Sequence, residues 1–85
     1  MSMVQQLISA VTNAERQIDD QMSKLRSYGA EIDQVTQRVQ ADFSGSQRDY
    51  GQKMLQQLST TKRQVDETMA RLQTAKEKLT QVRMI

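Results

Sequence analysis

Residues 4–39 read VQQLISAVTNAERQIDDQMSKLRSYGAEIDQVTQRV, and their spacing decides the fold. Every seventh residue from Val4 is apolar: Val11, Ile18, Leu25, Ile32 and Val39. Three positions further on come Leu7, Ala14, Gln21, Tyr28 and Val35, all apolar or aromatic except Gln21. Alternating steps of three and four keep such residues on one side of an α-helix, which is the a/d pattern of a coiled coil. Only 36% of the chain is hydrophobic, so chance does not produce a repeat this regular. The pattern predicts one helix over about residues 3–41. Ser2 is placed to cap it, and its length is about 60 Å at the usual rise per residue.

The second half repeats the device. Leu58, Val65, Leu72 and Leu79 form a seven-residue row, with Met54, Thr61, Thr68, Ala75 and Val82 as the companion row. A second helix is expected over about residues 46–83. Between the two lies Asp42-Phe43-Ser44-Gly45-Ser46, where small and turn-forming residues cluster. Gly45 suits the end of a helix, and Ser46 with Asp49 fits a capping box for the next one. Ile32 and Leu58, Leu25 and Val65, Ile18 and Leu72, and Val11 and Leu79 are each equidistant from Gly45. Fold-back about that point matches the two stripes in height. The reading is all-α: one domain over 1–85, an antiparallel two-helix hairpin with its loop at about 42–46. The break at Phe43-Ser44-Gly45-Ser46 argues against one uninterrupted coiled coil.

The matched heights also pair Gln21 with Thr68, as a polar layer in mid-hairpin, and Tyr28 with Thr61 in the core. Ile8, Met22, Leu55 and Met69 each follow a stripe residue directly and widen the apolar face on one side. A widened stripe is what a bundle of three or more helices requires. These four are the expected protein-binding residues, and pairing of hairpins into a four-helix bundle is the expected use.

Composition points the same way. The chain has no Cys and no His, and so lacks disulfides, thiolate metal sites and the commonest general base. A domain of 85 residues usually needs a disulfide, a metal or a partner for stability, and the partner remains. Proline is absent and glycine occurs three times, as suits long helices. Asp19-Asp20 and Asp66-Glu67 are adjacent acids on expected solvent faces, without the cleft that acid–base chemistry needs. No enzyme, cofactor, metal or small-molecule ligand is expected. The basic residues Lys62, Arg63, Lys76 and Lys78 are interleaved with acids, so nucleic-acid binding is not expected. Residues 1–42 carry six acids against four Lys/Arg, and residues 43–85 carry eight Lys/Arg against four acids. An acidic helix facing a basic one accounts for that asymmetry. The first residues lack the basic flank and unbroken apolar run of a signal peptide, and no apolar stretch is long enough to cross a membrane.

A two-helix chain of this size with an aromatic-X-Gly tripeptide at its midpoint resembles the Trp-X-Gly family of type VII secretion, the early-secreted-antigen-like proteins. Phe43-Ser44-Gly45, followed by Tyr50, carries the likeness, with Phe43 where the family has Trp. The resemblance implies a non-enzymatic helical hairpin that dimerises with itself or a related hairpin. It implies secretion without a cleaved signal peptide, or a cytoplasmic stage before export. Some relatives serve as helical partners of larger Leu-X-Gly toxins. The family's C-terminal Tyr-X-X-X-Asp/Glu export signal is missing, since the chain ends Gln81-Val82-Arg83-Met84-Ile85. A partner that supplies the signal, such as a toxin with a helical targeting domain, fits that departure. A cytoplasmic adaptor of another secretion or filament system, and a structural coiled-coil protein, are the alternatives.

Overall fold

The computed structural model describes residues 2–43 and 48–84. They form two long helices, α1 (Met3–Asp42) and α2 (Arg48–Arg83), packed side by side as an antiparallel hairpin. The molecule is a rod of 68 × 15 × 12 Å, one helix long and two helices wide. The all-α hairpin expected from the stripes is present. Ser44, Gly45 and Ser46, with the expected helix end and capping box, lie outside the described residues.

Both described helix ends are explained locally. Ser2 takes an extended conformation and its hydroxyl accepts a hydrogen bond from the Gln5 amide at 3.2 Å, satisfying one of the free N–H groups at the start of α1. At the other end Phe43 leaves the helix with extended backbone, and its amide donates to the Val39 carbonyl at 3.1 Å. In α2, Asp49 lies in the first turn and Arg83 in the last, each on the side the helix dipole favours.

The core is thin. Val11, Met22, Ile32, Val39 and Val65 are its buried hydrophobic side chains, and none of the described residues is sealed completely. Ile18, Leu25, Leu58, Leu72 and Leu79 are half-buried. Two helices in contact along one seam leave each side chain open on at least one flank. This is why hairpins of this kind gain from a partner.

The register differs from simple reflection about Gly45. Asp33 meets Lys62, Asp19 meets Lys76 and Glu15 meets Thr80. Near the loop, Gly51 packs on Phe43. Each of these pairs is centred a little beyond Gly45, so α2 is displaced by roughly one helical turn from the expected alignment. In the shifted register the Val4 row of α1 alternates with the row that follows it by four residues: Ile8, Glu15, Met22, Gly29, Thr36 and Phe43.

That choice of seam corrects the expected core. The row three residues on was expected to share the seam, but Leu7, Tyr28 and Val35 are 55%, 50% and 44% exposed. Tyr28 is therefore not a core residue. Gln21 and Thr68 are also exposed and form no buried layer. The Thr68 hydroxyl donates to the Gln64 carbonyl on its own helix, as Thr61 does to Gln57. The physical reason lies in α2, whose corresponding row carries Leu55, Lys62, Met69, Lys76 and Arg83. Its basic members meet carboxylates only when that row faces α1.

Candidate protein-binding surface

The ion pairs give the hairpin two unlike faces. Asp19 and Asp33 each follow a seam residue directly, and their carboxylates reach Lys76 at 2.7 Å and Lys62 at 2.8 Å. Depressions on that side combine Asp33 and Gln40 of α1 with Ser59 and Asp66 of α2. The residues that follow the seam rows by one therefore share a face, and it is polar. The opposite face is formed by the rows Leu7, Ala14, Gln21, Tyr28 and Val35 on α1 and Met54, Thr61, Thr68, Ala75 and Val82 on α2. Leu7 and Val82 line one depression, of about 300 Å³, together with Val4, Ile8, Val11 and Arg83. None of these ten row positions is charged, in a chain of which 26% is Asp, Glu, Lys or Arg.

Within the two helices, the large hydrophobic residues that remain exposed avoid the polar face. Leu7, Tyr28, Val35 and Val82 lie in the uncharged rows. Met3 and Tyr50 flank those rows, and Val4 and Ile8 lie at the open end of the seam. The hairpin thus buries the less apolar of two candidate rows in its own seam and leaves the more apolar row outside. Patches of this kind mark interaction surfaces.

The four expected binding residues are placed differently from the expectation. They belong to the seam, because the residue after each Val4-row member by four turns toward α2. Met22 is 6% exposed and packed inside the hairpin, so it offers nothing to a partner. Leu55 and Met69 are half-buried along the polar flank, beside Lys62 and Asp66. Ile8 alone is open, at 40% exposure, at the apolar end of the seam. The row that the structure exposes is the one that the heptad spacing assigns to the core.

At the open end a charged clasp joins the helices. Arg83 donates to Glu15 at 2.9 Å, and the Thr80 hydroxyl donates to the other carboxylate oxygen at 2.7 Å. The Thr80 hydrogen bond, and then Arg83, hold the Glu15 carboxyl below the usual range despite partial desolvation. Lys62 is raised, first by its hydrogen bonds to Asp33. Its aliphatic stem lies beside Gly29, where the absent side chain leaves it room.

At the loop end Phe43 is half-buried, and its ring centroid lies 5.8 Å from that of Tyr50 in a tilted pair. Phe43 also rests on Gly51, so the aromatic of the tripeptide packs inward on the first turn of α2. Ser44 and Gly45 lie outside the described residues. Among the described residues, no group of three acidic side chains is placed to hold a metal ion, and no helix is long and apolar enough to cross a membrane. No family model matches the chain, and no curated protein or solved structure matches it.

Proposed function

We propose that the chain is a small non-enzymatic hairpin of a type VII secretion system, an exported substrate or the export partner of a larger secreted protein or toxin. The observation that carries the reading is the uncharged apolar face left outside the seam of a hairpin with a thin core. A stable two-helix protein has no use for such a face, whereas a helical partner covers it. The aromatic pair Phe43 and Tyr50 at the loop supports the likeness to the Trp-X-Gly family. The absence of His and Cys supports a binding role over catalysis.

The test is affinity purification of the tagged chain from its native cell, with mass spectrometry of what accompanies it and immunoblotting of the medium. Recovery of a membrane ATPase of the secretion machine, or of a secreted protein with a long helical N-terminal region, is the expected result. Recovery of flagellar or needle components instead would replace the reading with the adaptor alternative.

A further inference from the structure

We propose that the hairpin has two seams to choose from, and that its cross-helix ion pairs hold it in the one that leaves the uncharged face open. Without those pairs both helices turn in place and fold that face inward. The use of such a switch, to present or withdraw a docking face, rests on the partner-binding reading above. The switch itself does not.

The rows set the geometry. The Val4 row of α1 and the Leu58 row of α2 serve either seam. The rows three and four residues on stand to either side of them. Each residue advances about 100° around a helix, so a turn of about 50° in both helices exchanges one companion row for the other.

Apolarity favours the seam that is not used. It would join Leu7, Ala14, Tyr28 and Val35 to Met54, Ala75 and Val82, with no charge in either row. The present seam carries Glu15, Lys62, Lys76 and Arg83 in its companion rows. Thr61 and Thr68 would enter the other seam with their hydroxyls already bonded to the Gln57 and Gln64 carbonyls of their own helix. Gln21 remains as its polar member, in a contact two helices wide whose flanks are open to water.

Charge opposes the exchange. Asp33–Lys62, Asp19–Lys76 and Glu15–Arg83 form only with the basic row of α2 turned toward α1. Asp19 and Asp33 are at least half exposed, and exposed pairs contribute little each. None of the described side chains is sealed in the core, so packing does little to lock the present seam. The two arrangements therefore lie close in free energy. The exchange inverts two environments: Met22 is buried in the present seam, whereas Val35 stands half in solvent.

Thiol labelling reads that inversion, since the chain has no cysteine of its own. With the native charges, Val35→Cys should react with a maleimide at least about ten-fold faster than Met22→Cys, because a buried group reacts only when the structure opens. In a background of Glu15→Gln, Asp19→Asn and Asp33→Asn the order should reverse while circular dichroism stays helical. Exchanging the partners, Asp33→Lys with Lys62→Asp and Asp19→Lys with Lys76→Asp, should keep the native order.

An unchanged order in the folded neutral variant overturns the proposal, as does a reversed order in the exchanged one. If the neutral variant loses its helices, Gln21→Leu with Thr61→Leu and Thr68→Leu decides, because it keeps every pair and makes the other seam more apolar. It should slow Val35→Cys and quicken Met22→Cys. Slowing of Val35→Cys alone would report association on the uncharged face and overturn the switch. A chain that does not exchange seams yet recovers secretion components fails this inference and leaves the proposed function standing. One that exchanges seams and recovers none supports the switch and removes the function.

Discussion

The same substitution at two helical glycines should shift stability in opposite directions. Gly29 and Gly51 both lie inside helices and are both buried. Replacing a helix-interior glycine by alanine gains about 1 kcal/mol from backbone entropy. At Gly29 the new methyl would meet the Lys62 stem at 3.5–3.8 Å, which is ordinary van der Waals contact with a flexible chain. Most of the gain survives, so Gly29→Ala should stabilise by about 0.5–1 kcal/mol. At Gly51 the methyl would lie 2.5 Å from Phe43 Cβ and 3.1 Å from Cγ. A Cβ is fixed to its backbone and cannot swing aside, so the helix ends must move apart. Overpacking of that kind costs about 1–3 kcal/mol, which matches or exceeds the helix-forming gain. Gly51→Ala should therefore destabilise, by up to about 2 kcal/mol net.

The assay is urea unfolding followed by far-ultraviolet circular dichroism, at one protein concentration so that any self-association acts alike on every variant. Each kcal/mol corresponds to about 4–8 °C in a domain of this size, so thermal melts resolve the difference as well. Stabilisation by both substitutions would refute the close approach of Phe43 to α2. Destabilisation by Gly29→Ala would refute the placement of Lys62 beside it.

Four further outcomes follow from the seam and its ends. Met22→Ala should destabilise the hairpin by about 2–3 kcal/mol, because it empties a buried seam position. Tyr28→Ala should leave the isolated chain within about 0.5 kcal/mol and affect association alone, which unfolding and sedimentation together separate. Ser2→Ala removes the α1 cap and should cost about 1 kcal/mol, seen as faster amide hydrogen exchange in the first turn. The lowered Glu15 pKa means the unfolded chain takes up its proton first as pH falls. The clasp's contribution is thus full above the ordinary carboxylate range and is lost as pH falls through the lowered value. Glu15→Gln should flatten the acid limb of the stability–pH curve, and an unchanged limb would place the carboxylate outside the clasp.

The hairpin, its helix lengths and the Ser2 cap were legible because each depends on residues close in sequence. The seven-residue rows named the Val4 stripe correctly. They did not select its companion. On α1 the rows three and four residues on both hold large apolar side chains, and the row three on is the more apolar. The deciding residues are Lys62, Lys76 and Arg83, far away on α2, whose carboxylate partners exist only in one seam and one register. Charge asymmetry between the halves implies mutual attraction, and three cross-helix pairs each join an acid of α1 to a base of α2. Its further meaning, that paired charge occupies one face and leaves the other bare, required the two helices to be seen together. Tyr28 shows the cost of reading apolarity as burial: it follows the stripe faithfully and stands half in solvent.

That the described residues form one uncharged broad face also limits growth. A rod with two apolar sides stacks without end, each added copy presenting a fresh side to the next. Here the charged pairs lie on the other face, so a partner laid on the uncharged rows would leave charged surface outward. Assembly through such a face would stop at one added layer, and the covered rod would expose less apolar surface than the bare one. Adding a second apolar stripe, by replacing Asp19, Asp33 and Asp66 with leucine, would remove that stop and open the rod to stacking on both faces.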